Sequence, residues 1–215
     1  MNKILPIAIL SLFFSLAANA QFNKNDILLG GQLSYNSSSN SNTGNPESKY
    51  SSGIFTISAG KAIKENTVFG LTISYLPRTM SNYYTNAEPL DYKNNGYSVG
   101  VFYRVYKSLG KDFYLFAEGS ASYQGFTESG KDSTGTKVLT GSGNGGSIVI
   151  YPGISYKIAK NFLLEISIPS LFTVNYNSSR TTAYSSTSKY NQFNVSSSLS
   201  SNPFQSLGIG FRLIL

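Results

Sequence analysis

An alternation of apolar and small polar residues, with a period of two, constrains this chain more than any other feature. Ile27 and Leu29 fall on one face of the first such segment, whereas Gly30 falls on the other. A period of two is typical of β-strands, because the apolar residues of an amphipathic helix recur about every 3.6 positions. The alternation predicts eight strands, which lie within residues 27–35, 55–59, 69–75, 97–105, 113–126, 147–156, 162–176 and 207–215.

The connections between these strands are of two kinds. Short segments that contain lysine are typical of hairpin turns, whereas long segments rich in Ser, Asn, Thr, Gly and Tyr are expected to be loops. The two kinds alternate along the chain, which predicts an up-and-down order with all turns at one end and all loops at the other. The turns are residues 60–66, 107–112 and 157–161, and the loops are residues 37–49, 78–95, 127–145 and 177–190.

The placement of charge indicates which face of the strands meets water. Of the 27 charged residues, 17 basic and 10 acidic, only four fall inside the predicted strands. A soluble barrel would show water a face rich in lysine and glutamate, whereas a membrane barrel turns its apolar face outward and packs small polar residues inside. We therefore predict an all-β, eight-stranded antiparallel up-and-down transmembrane β-barrel, with a lipocalin-like secreted carrier as the alternative. Aromatic residues near the strand ends fit a membrane interface: Tyr35, Tyr75, Tyr97, Tyr103, Phe113, Tyr123 and Phe162.

The first twenty residues have the pattern of a signal peptide. Lys3 precedes an apolar run at 4–16, and Ala18-Asn19-Ala20 has the small-residue pattern of a cleavage site. A transmembrane anchor is the alternative, but the run is shorter than the roughly 20 residues that a spanning helix needs. We expect a cleaved signal peptide at residues 1–20, with Ala18 and Ala20 at the cleavage site, and a barrel domain at residues 21–215.

Composition argues against catalysis and against cofactors. The chain has no Cys and no His, so the commonest metal ligands and general bases are missing, and we expect no metal, no cofactor and no enzymatic activity. Its net charge is +7, yet only 13% of its residues are charged, so nucleic acid is not an expected partner. Glu118 and Glu165 could be a carboxylate pair for glycoside hydrolysis. Two opposing arginines favour a structural interpretation of these carboxylates instead.

The four charged residues of the predicted strands are expected to form a network inside the lumen. Arg104, Glu118, Glu165 and Arg212 share the lumen face by strand parity, and two cations with two anions are neutral together. We expect ion pairs that lock the barrel shut. Exchanging the charges of Glu165 and Arg212 is then expected to restore much of the stability that single substitutions remove.

Three stretches resemble the OmpA/OmpX-like (porin-family) outer-membrane β-barrel proteins of Gram-negative bacteria. They are residues 55–75, residues 99–123 with Phe102-Tyr103-Arg104 and Phe116-Ala117-Glu118, and residues 151–156. The C-terminus is similar to the assembly signal of such barrels, although the family usually ends on an aromatic residue and this chain ends on Leu215. The residues that match this signal are Ser206, Gly208, Phe211 and Leu213.

The resemblance implies a location and a set of partners. It implies a monomer in the cell outer membrane with both termini in the periplasm, in contact with outer-membrane lipid, lipopolysaccharide, the assembly machinery and periplasmic chaperones. We expect a structural or surface-interaction role in adhesion or envelope integrity, with an extracellular ligand at the loops as one interpretation and merely variable loops as the other. The alternative function is a narrow porin-like channel for small or apolar solutes.

Overall fold

A computed structural model describes residues 22–41, 47–85, 88–168, 171–197 and 207–215. Within these ranges the chain is all-β and antiparallel. None of the described residues forms a helix long and apolar enough to cross a membrane. The strands are β1 (Ile27–Asn40), β2 (Ser48–Lys64), β3 (Thr67–Thr85), β4 (Glu88–Gly110), β5 (Phe113–Lys131), β6 (Lys137–Ala159), β7 (Phe162–Ser167), β8 (Phe172–Ala183), β9 (Ser186–Ser197) and β10 (Gly208–Ile214).

These strands close into a ring that is equivalent to eight strands. Strand β6 pairs with β7 along residues 153–159 and with β8 along residues 139–150, so β7 and β8 form one interrupted strand. Strands β9 and β10 continue the ring in the same way, because β9 pairs with β8 and β10 pairs with β7. The pairing of β10 with β1 closes the ring. The predicted eight-stranded barrel is therefore confirmed, with its seventh and eighth strands each in two pieces.

One end of the barrel carries the short turns that the sequence predicts. At the end that carries the start of β1 and the end of β10, here called the terminal end, the hairpins close through two-residue turns. Asn66, Lys111 and Asp112 have φ angles of 55°, 46° and 68°, the left-handed values that tight hairpin turns require. The other end, here called the hairpin end, carries the connections between β5 and β6 and between β8 and β9.

The prediction of long loops at the hairpin end is mostly wrong. Residues 37–40 continue β1, most of 78–95 belongs to β3 and β4, and β5 and β6 leave only residues 132–136 between them. Within 177–190 only Tyr184 and Ser185 leave the strands. Strands β4 and β6 are 23 residues long, whereas about 9–11 residues cross a bilayer. The prediction took polar composition as a sign of loops. Backbone hydrogen bonds between neighbouring strands do not depend on the polarity of the side chains, so the polar segments continue as strands.

The outer face of the barrel is apolar. Ile57 is 76% exposed, Ile73 is 66% exposed and Ile209 is 60% exposed. The predicted interfacial aromatics also point outward and fall in two belts. Tyr97 and Tyr103 on β4 are about 20 Å apart along the strand, and Tyr123 and Phe113 on β5 are about 33 Å apart. An apolar band between aromatic belts is the outer surface of a membrane barrel.

The lumen is narrow enough to require glycine opposite its large side chains. A Cβ atom on Gly30 would lie 2.6 Å from Cδ of Arg212, its cross-strand partner on β10. A Cβ atom on Gly70 would lie 2.6 Å from the Phe102 ring. Both contacts are closer than packed carbon atoms allow, so these glycines create the room that Arg212 and Phe102 occupy.

Candidate functional site

The four charged residues of the predicted network meet in the lumen, toward the terminal end. Arg104, Glu118, Glu165 and Arg212 are 1%, 4%, 5% and 6% exposed, and we call this cluster the seal. They come from β4, β5, β7 and β10, so the cluster connects four strands across the barrel. Its two cations and two anions balance, as the burial of charge requires.

Arg104 binds both carboxylates of the seal. Its Nε atom donates a 2.6 Å hydrogen bond to Glu118 Oε2, and its Nη1 atom lies 2.7 Å from each oxygen of Glu165. Arg104 and Glu118 are direct cross-strand partners, whereas Glu165 lies across the lumen on β7. Charge-assisted bonds of this length are the strong class of hydrogen bonds.

Arg212 closes the cluster from the other side. Its Nε atom donates to Glu165 Oε2 at 3.3 Å, and its Nη2 atom lies 3.5 Å from Glu118 Oε2. Its Nη1 atom also donates to the hydroxyl of Ser58 on β2. Each arginine therefore contacts each carboxylate, and the four groups form one network rather than two separate pairs.

Hydroxyl groups satisfy the remaining hydrogen-bonding capacity of the carboxylates. Tyr151 donates to Glu118 Oε1, and Ser155 donates to Glu165 Oε1 at 3.2 Å. The Tyr106 hydroxyl accepts a 3.0 Å bond from Arg104 and donates a 3.2 Å bond to Glu165. This saturation leaves no described carboxylate oxygen of the seal without a donor, which is the condition for stable buried charge.

Aromatic rings cover the guanidinium groups. The Arg104 Cζ atom lies 4.1 Å from the centroid of the Phe116 ring, and the Arg212 Cζ atom lies 5.4 Å from that of Phe102. Both distances are within the range of cation–π interactions. The rings exclude water from the seal and add attraction to the two cations.

An apolar layer lies beside the seal at the terminal end. The ring of Phe22, which precedes β1, is fully buried, and its centroid lies 4.4 Å from that of Tyr106. Hydrogen bonds between the backbone of Phe22 and Asn66 hold it there, at 3.2 and 3.4 Å. We call the buried cluster around this ring the base: Phe22, Leu28, Ala62, Val68, Phe102, Tyr106, Tyr114, Phe116 and Leu163.

The sequence analysis missed Phe22, Tyr106 and Tyr151. Tyr106 follows Arg104 by two residues, so strand parity alone places both on the lumen face. Phe22 offers a weaker signal, an aromatic residue directly before the first strand at the end where the turns are short. Only the folded chain shows that this residue enters the barrel.

The remaining predicted residues fall outside the seal. Gly208 faces the lumen, whereas Phe211 and Leu213 point outward, and the Phe211 ring stacks on Phe162 at a centroid distance of 6.1 Å. Ser206 and the cleavage-site residues Ala18 and Ala20 lie outside the described residues, so the assembly signal and the signal peptide stay predictions.

The geometry does not favour chemistry at Glu118 and Glu165. Both carboxylates are buried, bound to two arginines and saturated with hydroxyl donors, which leaves no space for a sugar between them. Among the described residues, no group of three or more His, Cys, Asp or Glu side chains is placed to hold a metal ion. The arrangement is that of a structural closure of the lumen.

Comparisons with known proteins bear on the fold alone. No family model matches the chain, and no curated protein is significantly similar to it. A major outer membrane protein from Thermus thermophilus is similar in structure, with a TM-score of 0.50 and 10% identity over 88% of this chain and 99% of that chain.

Two further solved structures are similar at lower scores. Neisserial surface protein A has a TM-score of 0.40 and 18% identity over 87% of this chain and 96% of that chain. The attachment invasion locus protein Ail of Yersinia pestis has a TM-score of 0.37 and 13% identity over 89% of this chain and 100% of that chain. The closed ring of strands, with the similarity to the Thermus protein, gives this chain the fold of an outer-membrane β-barrel.

Proposed function

We propose that the chain is a closed outer-membrane barrel with a structural and surface-interaction role, which presents its long hairpins outside the cell. The observation that carries this proposal is the seal, because four nearly inaccessible charged side chains and the adjoining base fill the lumen toward the terminal end. An eight-stranded barrel is just wide enough for side chains to fill, so such a closure blocks the path of solutes.

The outer surface supports a membrane location. A continuous belt of exposed isoleucine, leucine and valine would be an aggregation hazard in water but suits contact with lipid. Outer-membrane lipid and lipopolysaccharide are therefore the proposed surroundings of a monomeric barrel. Phe211 and Leu213 lie on the outer face of β10, where the assembly machinery could read them after periplasmic chaperones deliver the chain.

The hairpin end supports a surface role. All twelve residues of β9 are exposed, and this strand extends beyond the apolar belt together with β8. Its twelve residues include four Ser, two Asn and one Tyr, residue types that adaptable binding surfaces also use. An adhesive or recognition surface made of extended hairpins therefore takes the place of the long loops that the sequence predicts.

Labelling of single cysteines on whole cells tests the location and the orientation. Thr134 and Ser185 are at the hairpin end, whereas Ala159 is exposed at the terminal end and serves as the matched control. Ala62 is unsuitable because it is buried in the base, and Asn86 lies outside the described residues. We expect a membrane-impermeant maleimide to label T134C and S185C but not A159C. Labelling of A159C alone would overturn the orientation, and a soluble protein would overturn the location.

The channel alternative requires a water path through the seal. Arg104 contacts both Glu118 and Glu165 at 2.6 to 2.7 Å, which leaves no room for water between these side chains. A liposome-swelling assay with small sugars separates the two functions, because a channel accelerates swelling and a closed barrel leaves it at the rate of protein-free vesicles.

A further inference from the structure

The lumen is open on the other side of the seal, where it forms a recess that faces the hairpin end and has both polar and apolar lining. This recess, which we call the cup, has a volume of about 370 Å³, within the range of small-molecule sites. Serine and threonine pairs line the lumen between the seal and the cup, as at Thr56 with Ser74 and at Ser122 with Ser147. The side chains that define the cup are Arg78, Asn94, Gln124, Phe126, Asn177 and Tyr190.

Arg78 gives the cup a positive charge. It is the one charged residue that the described part of the chain contributes to the lining, and its cross-strand partners Ser52 and Asn94 are neutral. Within the described ranges Arg78 forms no ion pair, and its Cζ atom lies 6.0 Å from the centroid of the Tyr50 ring. The guanidinium group is therefore available to an anion, and its planar fork matches a carboxylate.

The nearby carboxylate of Glu128 is already committed to other groups. It accepts a 2.6 Å hydrogen bond from the Tyr92 hydroxyl and a second hydrogen bond from Thr181. It does not line the cup. The fixed charge that an incoming ligand meets there is thus the cation of Arg78.

The amide groups of the cup can bind hydroxyl groups. Gln124 Nε2 donates a 2.7 Å hydrogen bond to Asn177 Oδ1, so these two side chains hold each other in place. The other halves of these amides, Gln124 Oε1 and Asn177 Nδ2, have no hydrogen-bond partner among the described residues. One acceptor and one donor on neighbouring side chains are therefore available, and sugar hydroxyls can both donate to the acceptor and accept from the donor.

Two aromatic rings complete the lining. Phe126 on β5 and Tyr190 on β9 contribute apolar faces to the wall, to which Ile54 and Leu76 also contribute. A pyranose ring has one face of C–H groups that packs against an aromatic ring and an edge of hydroxyls that binds amides. A ligand that uses all three features of the cup has hydroxyls, an apolar ring face and a carboxylate.

We propose that the cup binds a small acidic saccharide from outside the cell, with its carboxylate on Arg78 and its hydroxyls on Gln124 and Asn177. The proposal rests on the proposed function in one respect, since the closed terminal end makes the cup a blind site rather than a step in a passage. Acidic saccharides are then the class of ligand that the barrel would recognise at the cell surface.

Isothermal titration of the purified barrel in micelles with glucuronate tests the proposal. Glucose lacks the carboxylate, and acetate lacks the hydroxyls, so these two probes separate the contributions of the site. We expect glucuronate to bind at least tenfold more tightly than either probe. Equal binding of acetate would show a plain anion site, and equal binding of glucose would show no role for Arg78; either result overturns the proposal.

Matched variants place the binding in the cup. Arg78→Gln is expected to lower glucuronate affinity at least tenfold and to remove its advantage over glucose. Arg180→Gln, on the outer face, is the control and is expected to leave the affinity unchanged. Gln124→Leu provides a second test if Arg78→Gln does not fold, as judged by its heat-dependent mobility on gels. Unchanged affinity in a folded cup variant, or an equal loss in Arg180→Gln, would overturn the proposal.

The binding test is independent of the proposed function. Titration of the protein in detergent measures binding to the cup, and the result does not depend on the orientation of the barrel in the membrane or on its conductance. Failure to bind glucuronate would leave the closed barrel intact, whereas conductance through a barrel that binds glucuronate would overturn the closure alone.

Discussion

Arg104 and Glu118 face each other directly across β4 and β5, and a 2.6 Å hydrogen bond joins Arg104 Nε to Glu118 Oε2 inside the closed lumen. The same guanidinium group reaches Glu165 on the opposite wall with a second nitrogen, at 2.7 Å. One side chain therefore links neighbouring strands and also spans the barrel. Closure of the lumen and stability of the barrel depend on the same atoms.

Neutralising Glu165 should destabilise the barrel strongly. In Glu165→Gln both arginines lose a charged acceptor while they stay buried, and stranded buried charge costs about 3–5 kcal/mol. Urea unfolding in micelles measures this loss. Glu47→Gln is the matched control, because Glu47 forms an exposed ion pair with Lys49 at 3.4 Å and should change stability by less than about 0.5 kcal/mol. Equal losses in the two variants would mean that the seal is solvated.

Exchanging the charges of Glu165 and Arg212 should not restore stability, contrary to the expectation from the sequence. An arginine at position 165 would face Arg104, and a glutamate at position 212 would face Glu118, so one favourable pair comes with two like-charge contacts. We expect the double variant to be at least as unstable as Glu165→Gln in the same urea titration. Recovery to within about 1 kcal/mol of wild type would show that Glu165 and Arg212 form an isolated pair.

Reversing the charge of Lys189 should stabilise the β8–β9 hairpin. Lys189 and Arg180 are cross-strand partners on the outer face, and like charges directly opposite each other repel. We expect Lys189→Glu to stabilise by about 0.2–1 kcal/mol at low salt, with Lys189→Gln intermediate. The gain should shrink as salt is added, because exposed charges are screened. A gain that does not depend on salt would rule out this explanation.

The turn between β5 and β6 should loosen at acidic pH. The hydroxyl of Thr134 donates to Asp132 Oδ1, and the backbone amides of Thr134 and Thr136 do so as well, which together lower the pKa of Asp132. A lowered pKa in the folded state means that the ionised carboxylate stabilises the turn above the unfolded-state pKa. This contribution is lost as the pH falls through the folded-state pKa.

Amide chemical shifts of Thr134 and Thr136, followed by NMR across the acidic range, should report this titration at a pH below the ordinary aspartate range. In Asp132→Asn the acidic transition should disappear. A transition that persists in Asp132→Asn would assign it to another group.

Strand parity made the lumen face predictable. The alternation in residues 97–105 and 113–126 places Arg104 and Glu118 inward, and their proximity then follows from the short turn between β4 and β5. The pairing of Arg104 with Glu165 across the lumen was not predictable in this way, because parity gives the face of a residue and not its height on a tilted strand. The continuation of the polar hairpins as paired strands and the entry of Phe22 into the base also depend on contacts that no local pattern records.

Single-channel recording of the purified full-length protein in planar bilayers tests the closed lumen most directly. With the seal and the base in place, we predict no discrete conductance steps above the level of the protein-free bilayer at moderate voltage. Stable, ohmic openings of the wild-type barrel would contradict the closure and make the narrow channel the better account of its function.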